Sequence, residues 1–264
     1  MKIAAISDIH GNLLALEAVL ADIASSGVDV TVNLGDILSG PLWVAETAER
    51  LMALHLPTIR GNHERQVLNF APDRMGASDA FAAARLQPAQ REWLSGLPET
   101  LRLGDEVFCC HGTPRSDLAY FLETVIPGFA GAGSPGVRAA TLAEASERAG
   151  DTLQGVANGL ILCGHTHVPR VLRLADGRLV VNPGSVGLQA YDDLHPHPHI
   201  VENATPHARY ALLTRLAAGW QVELRCVPYD WNAAADLAEA NRRGDWADAL
   251  RSGFMGRFEA SAAP

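Results

Sequence analysis

Basic charge is scarce in this chain. Lysine occurs once, at Lys2, and Lys plus Arg total 21 against 30 Asp plus Glu, a formal net charge of −9 over 264 residues. That balance excludes a nucleic-acid duplex or an anionic membrane surface as the main electrostatic partner. The near-absence of lysine reads as a compositional bias of the source genome and implies no site. Cysteine is scarce too: Cys109, Cys110, Cys163 and Cys226 form no CxxC spacing, and two of them are adjacent within an apolar run. A disulfide framework and a zinc knuckle are thereby excluded, and a reducing cytoplasmic compartment is the expectation. Long hydrophobic runs are missing as well. The opening MKIAAISDIH reaches charged residues by position 8, too early for a signal segment or a membrane span. What remains is 48% hydrophobic and 19% charged residues, the composition of a packed, enzyme-sized chain of one or two domains.

Residues 2–7 read as a buried strand. Beyond a short turn, Leu13, Leu16, Leu20 and Ile23 repeat at helical spacing between Asn12, an N-cap residue, and Gly27. Residues 28–34 form a second expected strand, Pro41 opens a helix to about residue 54, and 57–60 form a third short strand. The first 60 residues therefore spell β-α-β-α-β with parallel strands. Residues 64–98 read as helical. Hairpins are expected at 100–110 about Gly104-Asp105, at 171–181 about Asp176-Gly177, and at 210–227 about Gly219. Residues 159–163 read as a buried strand, 141–149 as a helix, and the Gly/Pro-rich 127–137 as a mobile loop. From Trp231 to about residue 258 the pattern is helical with no linker before it. A single domain over 1–264 is expected, with 228–264 a helical tail packed on the core.

Five polar clusters stand just beyond expected strands: Asp8-Ile9-His10, Gly35-Asp36, Gly61-Asn62-His63-Glu64, His111-Gly112 and Gly164-His165-Thr166-His167. Strand ends of open α/β folds point loop side chains into one crevice, so five such ends build one pocket. The i, i+2 spacing of Asp8/His10 and of His165/His167 sets both side chains on the same side of an extended segment, as metal chelation requires. Taken singly, each cluster reads equally well as a turn cap or a satisfied loop histidine. Five of the ten histidines fall in these clusters, and jointly they indicate a shared metal site.

The order DxH, GD, GNHE, HG, GHTH resembles the calcineurin-like metallophosphoesterase superfamily from Asp8 to about Gly187. The run NPGSVG at 182–187 is similar to that of small bacterial phosphodiesterases and dinucleoside polyphosphate hydrolases. The resemblance implies an α/β (α+β) fold, a four-layer αββα sandwich with two mixed β-sheets flanked by helices. It implies that Asp8, His10 and His167 hold one metal, that Asn62, His111 and His165 hold a second, and that Asp36 bridges them. It also makes His63 the general acid, with Glu64 completing the motif. One departure matters: phosphoprotein phosphatases continue GD into DxxDR, whereas Asp36 leads into Ile37-Leu38-Ser39-Gly40-Pro41 with no Arg.

The chemistry agrees with the residue types. Phosphate-ester hydrolysis needs a nucleophile at neutral pH and charge stabilisation at the phosphoryl oxygens, and two divalent ions ~3.5–4 Å apart supply both. A His/Asp/Asn set without thiolate suits two transition-metal ions per chain, manganese first and iron, zinc, nickel or cobalt next; magnesium matches poorly. Arg115 is a candidate grip on a substrate phosphate, the alternative being a surface Arg after a turn. Arg60 reads as a structural strand-end charge. The run His195-Pro196-His197-Pro198-His199 reads as an exposed loop near the mouth, with 191–193 on the same rim, in preference to a metal tract. The expected function is hydrolysis of phosphodiester or phosphoanhydride bonds in a small nucleotide-type substrate. The alternatives are a phosphomonoesterase or protein phosphatase, and a noncatalytic scaffold, which would be expected to lose ligand residues.

Overall fold

A computed structural model describes residues 1–129 and 133–257. Strand β1 (Lys2–Ile6) sets the layering: Ile3 and Ala5 face one way, Ala4 and Ile6 the other, and all four are buried. A strand apolar on both faces must be covered on both. It pairs parallel with β2 (Val30–Asn33) and antiparallel with β12 (Ala208–Leu216), which pairs with β13 (Gly219–Val227). This four-stranded sheet runs β13-β12-β1-β2. A second sheet is formed by β3 (Leu101–Leu103), β4 (Val107–Cys109), β7 (Leu160–Leu162), β9 (Leu179–Asn182) and β8 (Arg170–Arg173), in that spatial order. Its inner pairs are parallel and its outer pairs antiparallel.

The two sheets face each other through Ile3, Ala5, Val32 and Leu34 on one side and Val107, Leu160, Leu162 and Val181 on the other. On its outer face the first sheet packs against α1 (Leu13–Ala24), α2 (Val44–Leu54) and α5 (Pro88–Ser95) through Ala4, Ile6, Leu16, Val19, Leu51 and Leu94. The second sheet is covered by α6 (Leu142–Ala149) through Ala145, Ala149, Ile161 and Val180. The result is the four-layer helix–sheet–sheet–helix sandwich that the resemblance implies. Truncating a fully buried inner residue such as Leu162 to Ala removes roughly 2–5 kcal/mol. Helices α7 (Trp231–Ala240) and α8 (Gly244–Ser252) bury Ala234, Ala235, Trp246 and Leu250 with Leu42, Leu188 and Ala190. Among the described residues no helix is long and apolar enough to cross a membrane.

Several local expectations are corrected. The stretch 57–60 forms only a bridge, Asn33 with Thr58, because Arg60 N–H turns away to Pro98 O. The helix expected from Pro41 starts at Val44, since Trp43 N–H is drawn to Gly11 O. The helical stretch 64–98 is broken at Pro72, Gly76 and Pro88 into α3 (Asn62–Asn69), a 3-10 turn (Pro72–Arg74), α4 (Ala77–Ala83) and α5. Residues 127–129 and 133–136 lie between β5 (Glu123–Val125) and β6 (Val137–Ala139), so the expected loop joins a hairpin and its last residue, Val137, is already strand; its residues 130–132, and the expected helix end at 258, lie outside the described residues. The His/Pro run likewise joins β10 (Ala190–Asp193) to β11 (His199–Glu202). Residues 195–198 are exposed as expected, but His199 is buried.

Candidate metal centre

The loops after β1, β2, β4 and β7 are stitched together by their own backbone. Asp8 N–H donates to Gly35 O (3.0 Å), His10 N–H to Asp36 O (3.0 Å) and Gly164 N–H to His111 O (2.7 Å). Glu64, buried in the first turn of α3, completes the frame by accepting from Asp36 N–H (2.9 Å), Ile37 N–H (2.8 Å) and Gly61 N–H (2.8 Å). Burial and the nearby Asp36 charge raise the Glu64 pKa, and these backbone donors oppose that rise. Gly61 has no replacement here, because a Cβ would collide with Asp36 Oδ1.

Within this frame, among the described residues, two triads gather ligand-type atoms: Asp8, His10 and His167, and Asp36, His111 and His165. Five of these six residues have positive φ: Asp8 (55°), His10 (53°), Asp36 (53°), His165 (69°) and His167 (59°). Non-glycine residues held there cost about 1–3 kcal/mol each, and such strain concentrates where side chains must be aimed.

The imidazoles are oriented by backbone carbonyls. His10 Nδ1–H donates to Ser39 O (2.7 Å), His111 Nδ1–H to Leu34 O (2.7 Å) and His167 Nδ1–H to Leu188 O (2.8 Å). His165 is reversed, its Nε2–H donating to Leu118 O (3.0 Å). Each ring thus turns its other nitrogen toward the cluster. His10 Nε2 and His167 Nε2 stand 3.1 Å apart, and His167 Nε2 lies 3.4 Å from Asp8 Oδ1. In the second triad His111 Nε2 lies 2.9 Å from Asp36 Oδ2 and 3.2 Å from Asn62 Oδ1. Converging lone pairs of this kind require a shared proton or a cation, so the donor set fits divalent metal at both triads.

Charge follows the same geometry. Burial, with His167 beside it, pushes the His10 pKa down to about 3, and burial with His111 nearby pushes His165 down to about 4. Burial also opposes charge on His111, but the Asp36 carboxylate outweighs it and raises the pKa to about 9. Asp36 is held well below its ordinary value despite burial, chiefly by His111 and His63.

His63 stands apart from the triads. Its N–H donates to Asp36 Oδ1 (3.0 Å), its Nε2 lies 4.0 Å from Asp36 Oδ2, and its Nδ1 donates to Asp79 Oδ1 at 2.7 Å. Burial disfavours the imidazolium, yet Asp36 and Asp79 together raise the pKa to about 10.

The residues of the five motifs meet in this one cluster, and Arg115 does not. Arg115 is 74% exposed and stands 3.8 Å from Asp151. Arg60 pairs with Glu99 at 2.5 Å, in keeping with a structural role. Sequence reasoning missed Asp79, which lies 16 residues and a helix boundary away from the ring it orients, and Trp246 of α8, whose ring lies edge-on to His10. It also missed Tyr120, whose ring packs on His165 while its hydroxyl bonds Tyr191 (2.7 Å) and His199 (2.9 Å). Only long-range topology unites these groups; no local spacing marks them.

Residues 1–202 match the family model described as the calcineurin-like phosphoesterase superfamily domain. An uncharacterized protein of Methanocaldococcus jannaschii is 27% identical over 92% of this chain and 94% of its own length. Among solved structures, a metallophosphoesterase from Sphaerobacter thermophilus is 25% identical with a TM-score of 0.69, covering 96% of this chain and 99% of that one. A Pyrococcus horikoshii protein at 20% identity shares the fold with a TM-score of 0.70, over 97% and 99% of the two chains.

Proposed function

The chain belongs to the calcineurin-like phosphoesterase superfamily and is a metal-dependent phosphoesterase, and from that premise we propose that it hydrolyses phosphodiester or phosphoanhydride bonds in a small, nucleotide-type substrate. One observation carries the reading: two neighbouring acceptor triads with a single oriented imidazole, His63, beside them. In this reading Asp8, His10 and His167 would hold one divalent cation, and Asn62, His111 and His165 would hold a second. Asp36, between them, would serve both. Manganese is the first candidate by ligand type, with iron, zinc, nickel and cobalt next. When bound, such a pair supplies Lewis acidity toward phosphoryl oxygens and toward water at neutral pH.

The chain's own residues supply the rest. The carbonyls of Leu34, Ser39, Leu118 and Leu188 keep the ring lone pairs inward, which raises ligand basicity and fixes orientation. His63 holds one proton against Asp79 and presents Nε2 on the Asp36 side of the pocket, where it protonates the leaving oxygen.

A preference for diesters follows from charge. After Asp36 the chain offers buried Ile37 and Leu38 and no guanidinium, so a dianionic monoester lacks a clamp there. A diester phosphoryl group carries one charge and demands less neutralisation. Arg115, exposed beyond His111, is suited to gripping a further phosphate of a polyphosphate chain. Free thiols at Cys109, Cys110 and Cys163, all buried, suit a cytoplasmic location, and α7 and α8 are read as part of one folded unit with the rest. The deciding experiment compares kcat/KM for aryl monoesters, aryl diesters and dinucleoside polyphosphates. Diesters or polyphosphates should lead, and Arg115→Ala should damage polyphosphate cleavage more than aryl diester cleavage. A clear monoester preference moves the protein to the phosphomonoesterase reading.

A further inference from the structure

The turn between α7 and α8 lies outside the 1–202 family match, yet it reaches the centre at two points. We propose that Asn241 and Arg243 of this turn, with Trp246 in the first turn of α8, are positioning residues for the two rings that matter most on its side, His10 and His63. The inference deepens the phosphoesterase reading and rests on it.

The first point of contact is the loop 39–41. Ser39 O is the acceptor that fixes the His10 ring (2.7 Å). Asn241 Nδ2–H donates to Pro41 O at 2.8 Å, and the Trp246 indole lies against Gly40, where a Cβ would collide with it. The same indole meets the His10 ring edge-on, centroids 5.8 Å apart at 75°. Loop and ring are therefore held from one side by this turn and the start of α8. The second point is α4. Arg243, paired with Asp245 at 2.6 Å, donates from Nη1 to Ser78 Oγ at 2.9 Å. Ser78 directly precedes Asp79, the acceptor that orients His63 Nδ1–H. The His10 and His63 rings are themselves only 5.5 Å apart. Ordinary core packing accounts for burying Trp246 among Leu42, Leu188 and Ala247. It does not require two polar side chains of the same turn to end beside the acceptors of both imidazoles.

The test uses the full chain, Mn²⁺ alone in calorimetric titration, and turnover on diesters with good and poor leaving groups. Trp246→Ala should weaken Mn²⁺ binding about tenfold, the lower end of what removing a ligand-orienting partner costs, and Trp246→Phe should restore most of it. Asn241→Ala should weaken Mn²⁺ binding in the same direction. Arg243→Ala should keep Mn²⁺ affinity but lower kcat several-fold more on the poor leaving group, with KM unchanged, and Arg243→Lys should recover part of the loss. Asp236→Ala removes an exposed pair with Arg251 on the same helices and should move none of these readouts. If Trp246→Ala fails to fold, Asn241→Ala and Arg243→Ala decide the matter. Wild-type Mn²⁺ affinity in the Asn241 and Trp246 variants, with a leaving-group-independent response in Arg243→Ala, overturns the inference and leaves the phosphoesterase reading intact. A wild-type chain that binds no Mn²⁺ overturns both.

Discussion

Replacing Asp79 by Asn isolates the orientation and charge of His63 from the metal ligands. The Asp79 carboxylate is buried and accepts His63 Nδ1–H at 2.7 Å, a geometry that the isosteric amide oxygen can keep. The substitution therefore removes charge and leaves volume. A hydrogen bond to a charged group contributes about 1.5–3 kcal/mol, roughly twice its neutral counterpart, so losing the charge weakens by about 1.4 kcal/mol the bond that holds the ring in its aimed orientation. That corresponds to about tenfold in rate. Asp79→Ala, which removes the acceptor entirely, should approach about a hundredfold by the same scale. Both losses should appear in kcat on a diester with a poor leaving group and shrink on an activated aryl diester, because only the former needs a proton delivered. The pH profile supplies a second check. Asp36 and Asp79 together hold the His63 imidazolium up to about 10 against burial, so removing one carboxylate lowers that pKa and moves the alkaline limb to lower pH. Steady-state kinetics across pH, with metal content measured in parallel, refute the reasoning under any of three results: equal losses on both substrates, a limb that moves to higher pH, or a lower metal content.

Three further outcomes are expected. Asp36→Ala should abolish turnover and lower metal content below two equivalents by elemental analysis, since one carboxylate then no longer offsets two cations; two full equivalents count against its shared role. His63→Ala should keep both equivalents while losing about 10²–10⁴-fold in turnover on poor leaving groups, and its loss must exceed that of Asp79→Asn. Chelation should lower the thermal midpoint, because cations bound only by the folded chain stabilise it by about 2.7 kcal/mol at a hundred times their dissociation constant; a melting curve indifferent to chelator and to added Mn²⁺ contradicts a folded-state metal site.

Much of the centre is legible in the sequence because its chemistry is carried by short, rigid local units. Asp8/His10 and His165/His167 each fall within three residues of one loop, although the structure holds all four at positive φ and not in the extended segment that their spacing suggested, and Gly61-Asn62-His63-Glu64 is a helix start whose Glu turns back on its own N-terminus. The layering is legible for the same reason, since a strand such as 2–6, apolar on both faces, demands cover on both. The reading failed where neighbours outvoted local pattern. Residues 57–60 have strand composition, but their backbone bonds are divided between Asn33 and Pro98. The His/Pro run is locally a loop, and only its pairing across 190–202 makes it a hairpin that buries His199 beneath Tyr120.

The sequence by itself thus determined the inventory: which side chains carry metal-ligating atoms, and which loops beyond the expected strands hold them. Tertiary structure alone decided the orientation. The tautomer of each imidazole depends on a carbonyl as far away in sequence as Leu34 from His111 or Ser39 from His10, and the charge on His63 depends on Asp36 and Asp79 together. Hydrogen bonds act over about 3 Å of space whatever the separation along the chain. Composition and spacing can therefore supply candidate ligands, but only the packing of sheets and helices aims them.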